Sequence, residues 1–148
     1  MVDLKDLTRR TWEEMLPAAD FAALSEVIDP DVVNHDLPPG VPNGFEGVRA
    51  MIGMLHAAFS EQRYEVHHVI GESETVVIHA TMHGRHTGDF LGIPPTGRDV
   101  ALRTIHIVHY RDGREIETWA LQDRLGLMQQ LGVIPEGPPA RRPEAVSA

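Results

Sequence analysis

Nine histidines, the side chains that titrate nearest neutrality, stand in this chain: His35, His56, His67, His68, His79, His83, His86, His106 and His109. They are the first candidates for carrying protons or holding a metal. No pair has the spacing of a strong metal motif, and there is no cysteine, so no metal site is expected, although His79 and His83 share a strand parity. His106 differs from the others. It lies in Thr104-Ile105-His106-Ile107-Val108, an otherwise apolar run, so its imidazole is expected to be buried or to face a pocket. Such a group suits general acid/base work. The plain alternative is a core histidine bonded to backbone or to a carboxylate.

The groups beside His106 depend on the register of a hairpin turning at Asp112-Gly113. A two-residue turn pairs Arg111 with Arg114 and sets His106 opposite Trp119, with Leu121 and Asp123 on its face. A three-residue loop with a glycine bulge puts Thr104, Thr118, Ala120 and Gln122 there instead. One residue of slip exchanges a carboxylate for a methyl group, and both registers stay open. Asp123 also directly precedes a predicted helix, where an Asp caps free N–H groups. Asn34 and His35 follow a turn and precede a Pro-rich loop, which suits a pocket rim. Asp36 reads as a solvated loop charge.

The elements that must hold these residues change period along the chain. Apolar positions predict helices at 3–16, at 21–28 behind an Asp20 cap, and at 46–60. Asp29-Pro30-Asp31 reads as a turn, and Pro17 as a helix end or kink. Segments 63–71, 74–86, 100–111 and 114–122 are rich in Val, Ile, Thr, Tyr and His, as strands are. A short helix at 124–131 follows. Helices followed by an antiparallel sheet predict an α+β domain, with a curved sheet wrapping the helices around an apolar gap. The domain is expected over residues 1–134, with a flexible Pro-rich tail at 135–148.

Between two strands lies Gly84–Arg98, which holds four glycines and the Pro94-Pro95 pair. Prolines cannot donate to a ladder, so the chain leaves the sheet here and holds His86, Asp89 and Arg98 in a shaped excursion.

Composition narrows the partners. With 13 Lys and Arg against 22 Asp and Glu, the formal charge of −9 argues against nucleic acid and anionic membranes. No apolar run reaches membrane-spanning length, and the N-terminus lacks a signal-peptide core, so a cytoplasmic protein is expected. Apolar residues at both parities of the strands, such as Val76, Val77 and Ile78, favour a homodimer or higher homo-oligomer formed through the sheet.

The order of elements resembles the nuclear transport factor 2-like, or cystatin-like, cone fold. Gly84-Arg85-His86-Thr87-Gly88 with Gly92-Ile93-Pro94-Pro95-Thr96-Gly97-Arg98 resembles the signature of SnoaL-like polyketide cyclases. Asp29-Pro30-Asp31-Val32-Val33-Asn34, Asp112-Gly113-Arg114-Glu115-Ile116 and Gln130-Leu131-Gly132 extend the likeness over roughly residues 8–133. The resemblance implies a cofactor-independent intramolecular aldol closure of a polyketide ester. An Asp base would take the proton alpha to a carbonyl, and a His and an Asn would assist. By motif position the Asn falls on Asn34, the His on His106 and the base on Ala120, which cannot accept a proton.

The expectation is therefore an enzyme of polyketide cyclase type acting on a small, largely apolar carbonyl substrate. His106, Asp123 and Asn34 are its candidate catalytic residues, and His35, His86, Thr104, Trp119 and Ala120 its candidate substrate contacts. Isomerase, hydrolase or hydroxylase-type activity in the same pocket, or small-ligand binding without turnover, are the alternatives, since one fold hosts all of these.

Overall fold

The structure is a computed structural model that describes residues 2–137. The predicted tail lies outside the described residues from position 138 onward.

α1 (Leu4–Arg10) starts at Asp3, whose carboxylate accepts the N–H groups of Lys5 and Asp6. It does not stop at a simple kink. Residues Thr11–Met15 form a π-helical turn, with the Leu16 N–H reaching back five residues to the Thr11 carbonyl. α2 (Leu16–Ala18) follows and ends where Ala19 takes a left-handed conformation (φ 48°). Pro17 has no N–H for the usual bond, and the disturbance expected there takes the form of this wide turn. The turn carries Thr11 and Trp12, both buried.

α3 (Phe21–Val27) is capped by Asp20, which accepts from Ala23 N at 3.1 Å. β1 (Ile28–Asn34) follows directly, so the expected turn at Asp29-Pro30-Asp31 is extended chain instead. Pro30 falls where the register with β5 shifts, between Ile28 and Val33, so its missing N–H interrupts no regular ladder. α4 (Phe45–Ala58) stops two residues before the predicted end, because Phe59 is already extended and opens β2 (Phe59–Glu72). β3 (Thr75–His86), β4 (Asp99–Arg111), β5 (Arg114–Gln122) and α5 (Arg124–Gln130) complete the chain.

The strands form one curved five-stranded sheet in the order β1-β5-β4-β3-β2. β2 to β5 pair antiparallel as expected, but β1 lies parallel to β5. Inward-facing Val76, Ile78, Ala80, Val108 and Tyr110 pack against Leu7 and Trp12 of the helical layer. Each large apolar side chain buried this way contributes roughly 1.5–3 kcal/mol. The outer face of the sheet explains the apolar residues at both parities: Ile105, Ile107 and Leu121 remain 47%, 39% and 78% exposed. No helix among the described residues is long and apolar enough to cross a membrane.

The hairpin register combines the two alternatives. Arg111 pairs with Arg114 across a two-residue turn, with Asp112 and Gly113 both at positive φ (52° and 75°). The ladder then shifts: Tyr110 faces Glu115, but His109 faces Glu117. Ile116 is thus an extra residue, a bulge, and beyond it His106 faces Ala120 rather than Trp119.

The Gly84–Arg98 excursion is braced from within. His86 N donates to Arg98 O and Gly97 N to His86 O, each at 2.8 Å. The His86 ring is fully buried against Phe59, and its Nδ1 accepts the Thr96 N–H at 3.1 Å. Gly88 passes so close to α4 that a Cβ there would collide with the Ala57 carbonyl. At the far end, the Arg98 guanidinium donates to the Gln130 carbonyl at 3.0 Å, tying the loop to α5.

Candidate functional site

Between the concave sheet face and the helices lies an inner chamber of about 120 Å³. A wider basin of about 470 Å³ lies outside it, and Asn34, Met51, His106 and Gln122 border both. A separate recess of about 500 Å³, lined by Asp3, Lys5, Glu74 and Asp112, is a solvated surface hollow that shares no lining residue with the basin and only Val76 and Leu4 come near the core behind it.

β4 turns His106 inward, between Ile78 on β3 and Ala120 on β5. The edge of Trp12 meets its ring at a centroid distance of 5.1 Å and an interplanar angle of 70°. Burial pulls the imidazole pKa down from 6.5 to about 4, with the nearby Asp36 carboxylate acting weakly in the opposite sense. At neutral pH the ring is therefore uncharged, carrying one N–H donor and one acceptor nitrogen. It is a weak base there but a competent hydrogen-bond donor.

Asn34 ends β1 at the boundary of chamber and basin. Its side-chain oxygen accepts the Asp36 N–H at 2.9 Å, which leaves its amide nitrogen to donate. Asp36 in turn accepts the Ala120 N–H on Oδ2 at 2.7 Å. Side chains of this type favour backbone N–H groups where a strand gives way to a loop. The loop charge that reads as merely solvated is thus fixed over Ala120, with His106 across the ladder.

The other expected site residues separate. Thr104 lines the chamber, and Ala120 the basin. His35 reaches the basin rim, but its ring stacks on Trp119 (4.7 Å, 8°) and its Nε2 lies 2.8 Å from Glu117 Oε2. Trp119 lies on the outer face beside Ile105 and Ile107, because the bulge reverses its parity; it is not a chamber residue. His86 is committed to the excursion and does not line the chamber or the basin. Asp123 is corrected too. It caps α5 through Gly126 N at 2.9 Å and pairs with Arg103 at 2.9 Å, and these two bonds hold its carboxyl below the usual range. It lies outside both cavities, and so it is not placed to take a substrate proton.

Two chamber residues carry no functional signal in the sequence. Trp12 is buried on the π turn, where a helical stripe reads only as core. Glu115 is 5% exposed and lines the chamber. Its Oε1 lies 3.5 Å from the Tyr110 hydroxyl, which lies 2.7 Å from Thr8 Oγ1. Burial pushes the Glu115 pKa up from 4.5 to about 7, the Tyr110 contact opposing weakly. The two-residue turn at Asp112-Gly113 sets Glu115 opposite the inward-facing Tyr110, and this pairing turns its carboxyl inward. No group of three His, Asp or Glu side chains arranged to hold a metal occurs among the described residues.

A cone-shaped α+β domain with a largely apolar inner cavity and a few convergent polar groups defines a small-molecule pocket protein. Its affiliation is more specific. The model of the SnoaL-like polyketide cyclase family matches residues 6–131, and the chain belongs to that family. Among curated relatives, an aklanonic acid methyl ester cyclase of Streptomyces sp. (strain C5), DauD, is 32% identical over 153 residues, covering 93% of this chain and 91% of the relative. The nogalonic acid methyl ester cyclase of Streptomyces nogalater is 30% identical over 111 residues, covering 74% and 83%. Among solved structures, TsrD from Streptomyces laurentii superposes with a TM-score of 0.81 at 26% identity, covering 90% of this chain and 99% of that one. IdmH from Streptomyces antibioticus gives 0.78 at 29%, covering 89% and 100%.

Proposed function

We propose that this protein is a cofactor-independent cyclase that closes a ring on a small, largely apolar ester substrate by intramolecular aldol chemistry. The observation that carries the reading is the Asp36 carboxylate fixed on the Ala120 N–H, across the ladder from His106. It supplies a carboxylate at the strand position where the family pattern expects one and this chain has alanine.

In this reading the substrate carbonyl lies at the boundary of basin and chamber. The neutral His106 and the free amide hydrogens of Asn34 donate to its oxygen. Asp36 removes the proton from the adjacent carbon, and the negative charge moves onto the carbonyl oxygen, where those donors stabilise it. The enolate carbon then attacks a second carbonyl of the same molecule, forming the new C–C bond. The resulting alkoxide takes back a proton, so the product is an isomer of the substrate. Trp12 and the apolar lining exclude water, which strengthens each of these hydrogen bonds.

The experiment is incubation of the purified protein with the methyl esters of nogalonic and aklanonic acid, followed by chromatography and mass spectrometry. A new peak of unchanged mass, absent with His106→Ala, is expected. Full turnover by His106→Ala overturns the reading, and so does ligand retention with no turnover.

A further inference from the structure

Three polar residues that line the inner chamber have little or nothing of the protein to bind. Trp12 Nε1 and Thr104 Oγ1 are buried with no hydrogen-bond partner among the described residues, although Trp12 is only 5% and Thr104 only 3% exposed. Glu115, equally buried, has only the long contact to Tyr110. All three line the same cavity, whose other walls are mostly aliphatic or aromatic residues such as Leu16, Ile52 and Met82. Buried polar groups are normally satisfied, and a tryptophan N–H can be satisfied only by an acceptor. Here one donor, one hydroxyl and one carboxyl stand around an otherwise apolar hollow. The helix that presents Trp12 is also locally widened into a π turn, a feature often found at functional sites.

The size of the hollow constrains what fills it. About 120 Å³ approaches the volume of engineered apolar cavities that admit benzene, so one six-membered ring is the largest rigid unit it takes. We infer that the chamber is a recognition site for an oxygen-bearing six-membered ring: a ring hydroxyl donates to Glu115, and a ring oxygen accepts from Trp12 Nε1–H, with Thr104 Oγ1 beside them. This rests on the cyclase reading and deepens it, naming the substrate class as one whose leading ring is oxygenated while its reacting carbonyl stays at His106. A hydroxyl donor and an oxygen acceptor are the complement of this lining; a bare hydrocarbon ring would leave Trp12 Nε1 without a partner and Glu115 with only its long contact to Tyr110. The carboxyl's raised pKa agrees with a group set up to share a proton with a hydroxyl rather than to stand as a solvated anion.

The test measures binding without turnover. Resorcinol, phenol and toluene are titrated separately into the protein, and the indole N–H signal of Trp12 is followed by two-dimensional NMR. Trp119→Phe identifies it, because the chain has two tryptophans. Resorcinol is expected to bind at least tenfold more tightly than toluene and to shift the Trp12 signal. Glu115→Leu is expected to cut that preference to threefold or less. Should that variant not fold, Trp12→Phe serves, weakening resorcinol at least threefold while leaving toluene unchanged. Equal binding of resorcinol and toluene overturns the inference, as does no binding of either, in which case the chamber holds water only. Unchanged selectivity in the variant that folds also overturns it. Failure of the cyclase reading shows separately, as turnover that survives loss of His106.

Discussion

Asp36 holds its carboxylate oxygen 2.7 Å from the backbone nitrogen of Ala120, the residue paired with His106 across β4 and β5. In the proposed mechanism this carboxylate, reaching Ala120 from a neighbouring loop, serves as the base that the alanine's methyl side chain cannot provide. The bond fixes the carboxylate's orientation, which a freely solvated aspartate would lack. Proton abstraction depends on that orientation as much as on basicity.

Asp36→Ala is expected to lower kcat by about 10²- to 10⁴-fold, the usual range for a positioned acid or base. Ala120→Asp in the same background should recover part of the loss by restoring a carboxylate on β5. Steady-state rates on the ester substrate check both, and near-normal turnover by Asp36→Ala would remove it from the mechanism.

His106 should titrate near pH 4 rather than 6.5, because burial disfavours the imidazolium. Activity is then expected to show no histidine-dependent fall between about pH 8 and pH 5. Two-dimensional NMR of the imidazole, compared with a His106→Gln spectrum, gives the pKa directly. A midpoint near 6.5 contradicts the burial.

Glu115 and His106 should pull stability in opposite directions. Glu115 has a folded pKa of about 7 against 4.5, so folding retains its proton and its contribution is lost as pH rises from 4.5 to 7. His106 has a folded pKa of about 4 against 6.5, so folding expels its proton and stability is lost as pH falls from 6.5 to 4. The wild-type slopes largely cancel. Glu115→Gln removes one of them, so it should gain on the wild type as pH rises from 4.5 to 7. Each pH unit in that window is worth about 1.4 kcal/mol, which limits the gain to ~3 kcal/mol. Urea midpoints across that range decide it, and parallel curves would refute it.

Asp123→Ala should cost about 1 kcal/mol, the usual value of a helix cap, and leave kcat unchanged. A thermal melt alongside a rate measurement separates this from a catalytic role, which would lower the rate without needing to move the melt.

Much of the scaffold was legible because it rests on local rules. Asp20 and Asp123 cap the helices they precede, and the strand-rich segments became β2 to β5 with ends shifted by a few residues at most. The pocket groups were legible only where burial followed from the immediate neighbours, as for His106 in its apolar run. Glu115 lies between Arg114 and Ile116, where a glutamate reads as a solvated strand charge, and it is the two-residue turn, pairing it with the buried Tyr110, that turns it inward. Asp36 reads as an ordinary loop charge because its partner is the backbone of a residue 84 positions away, which no local pattern encodes. Trp119 and Asp123 share one source of error, since the place of each depends on a single residue of register.

The extra residue at Ile116 gives β5 two phases on a single strand. Glu115 faces inward at an odd position and Thr118 and Gln122 at even ones, which a regular strand forbids. The floor of the cavity and its mouth are therefore set out of step by the backbone, not by the side chains. If every residue of β5 were paired in turn, with Ile116 kept in the ladder, only one of the two sets could face the cavity: either the floor would lose its carboxyl, or the mouth would exchange Ala120 for Trp119. Deleting Ile116 would instead keep both sets, with Glu115 opposite Tyr110 and Glu117 opposite His109. Loss of the bulge without loss of a residue would thus act as a change of pocket rather than a change of loop.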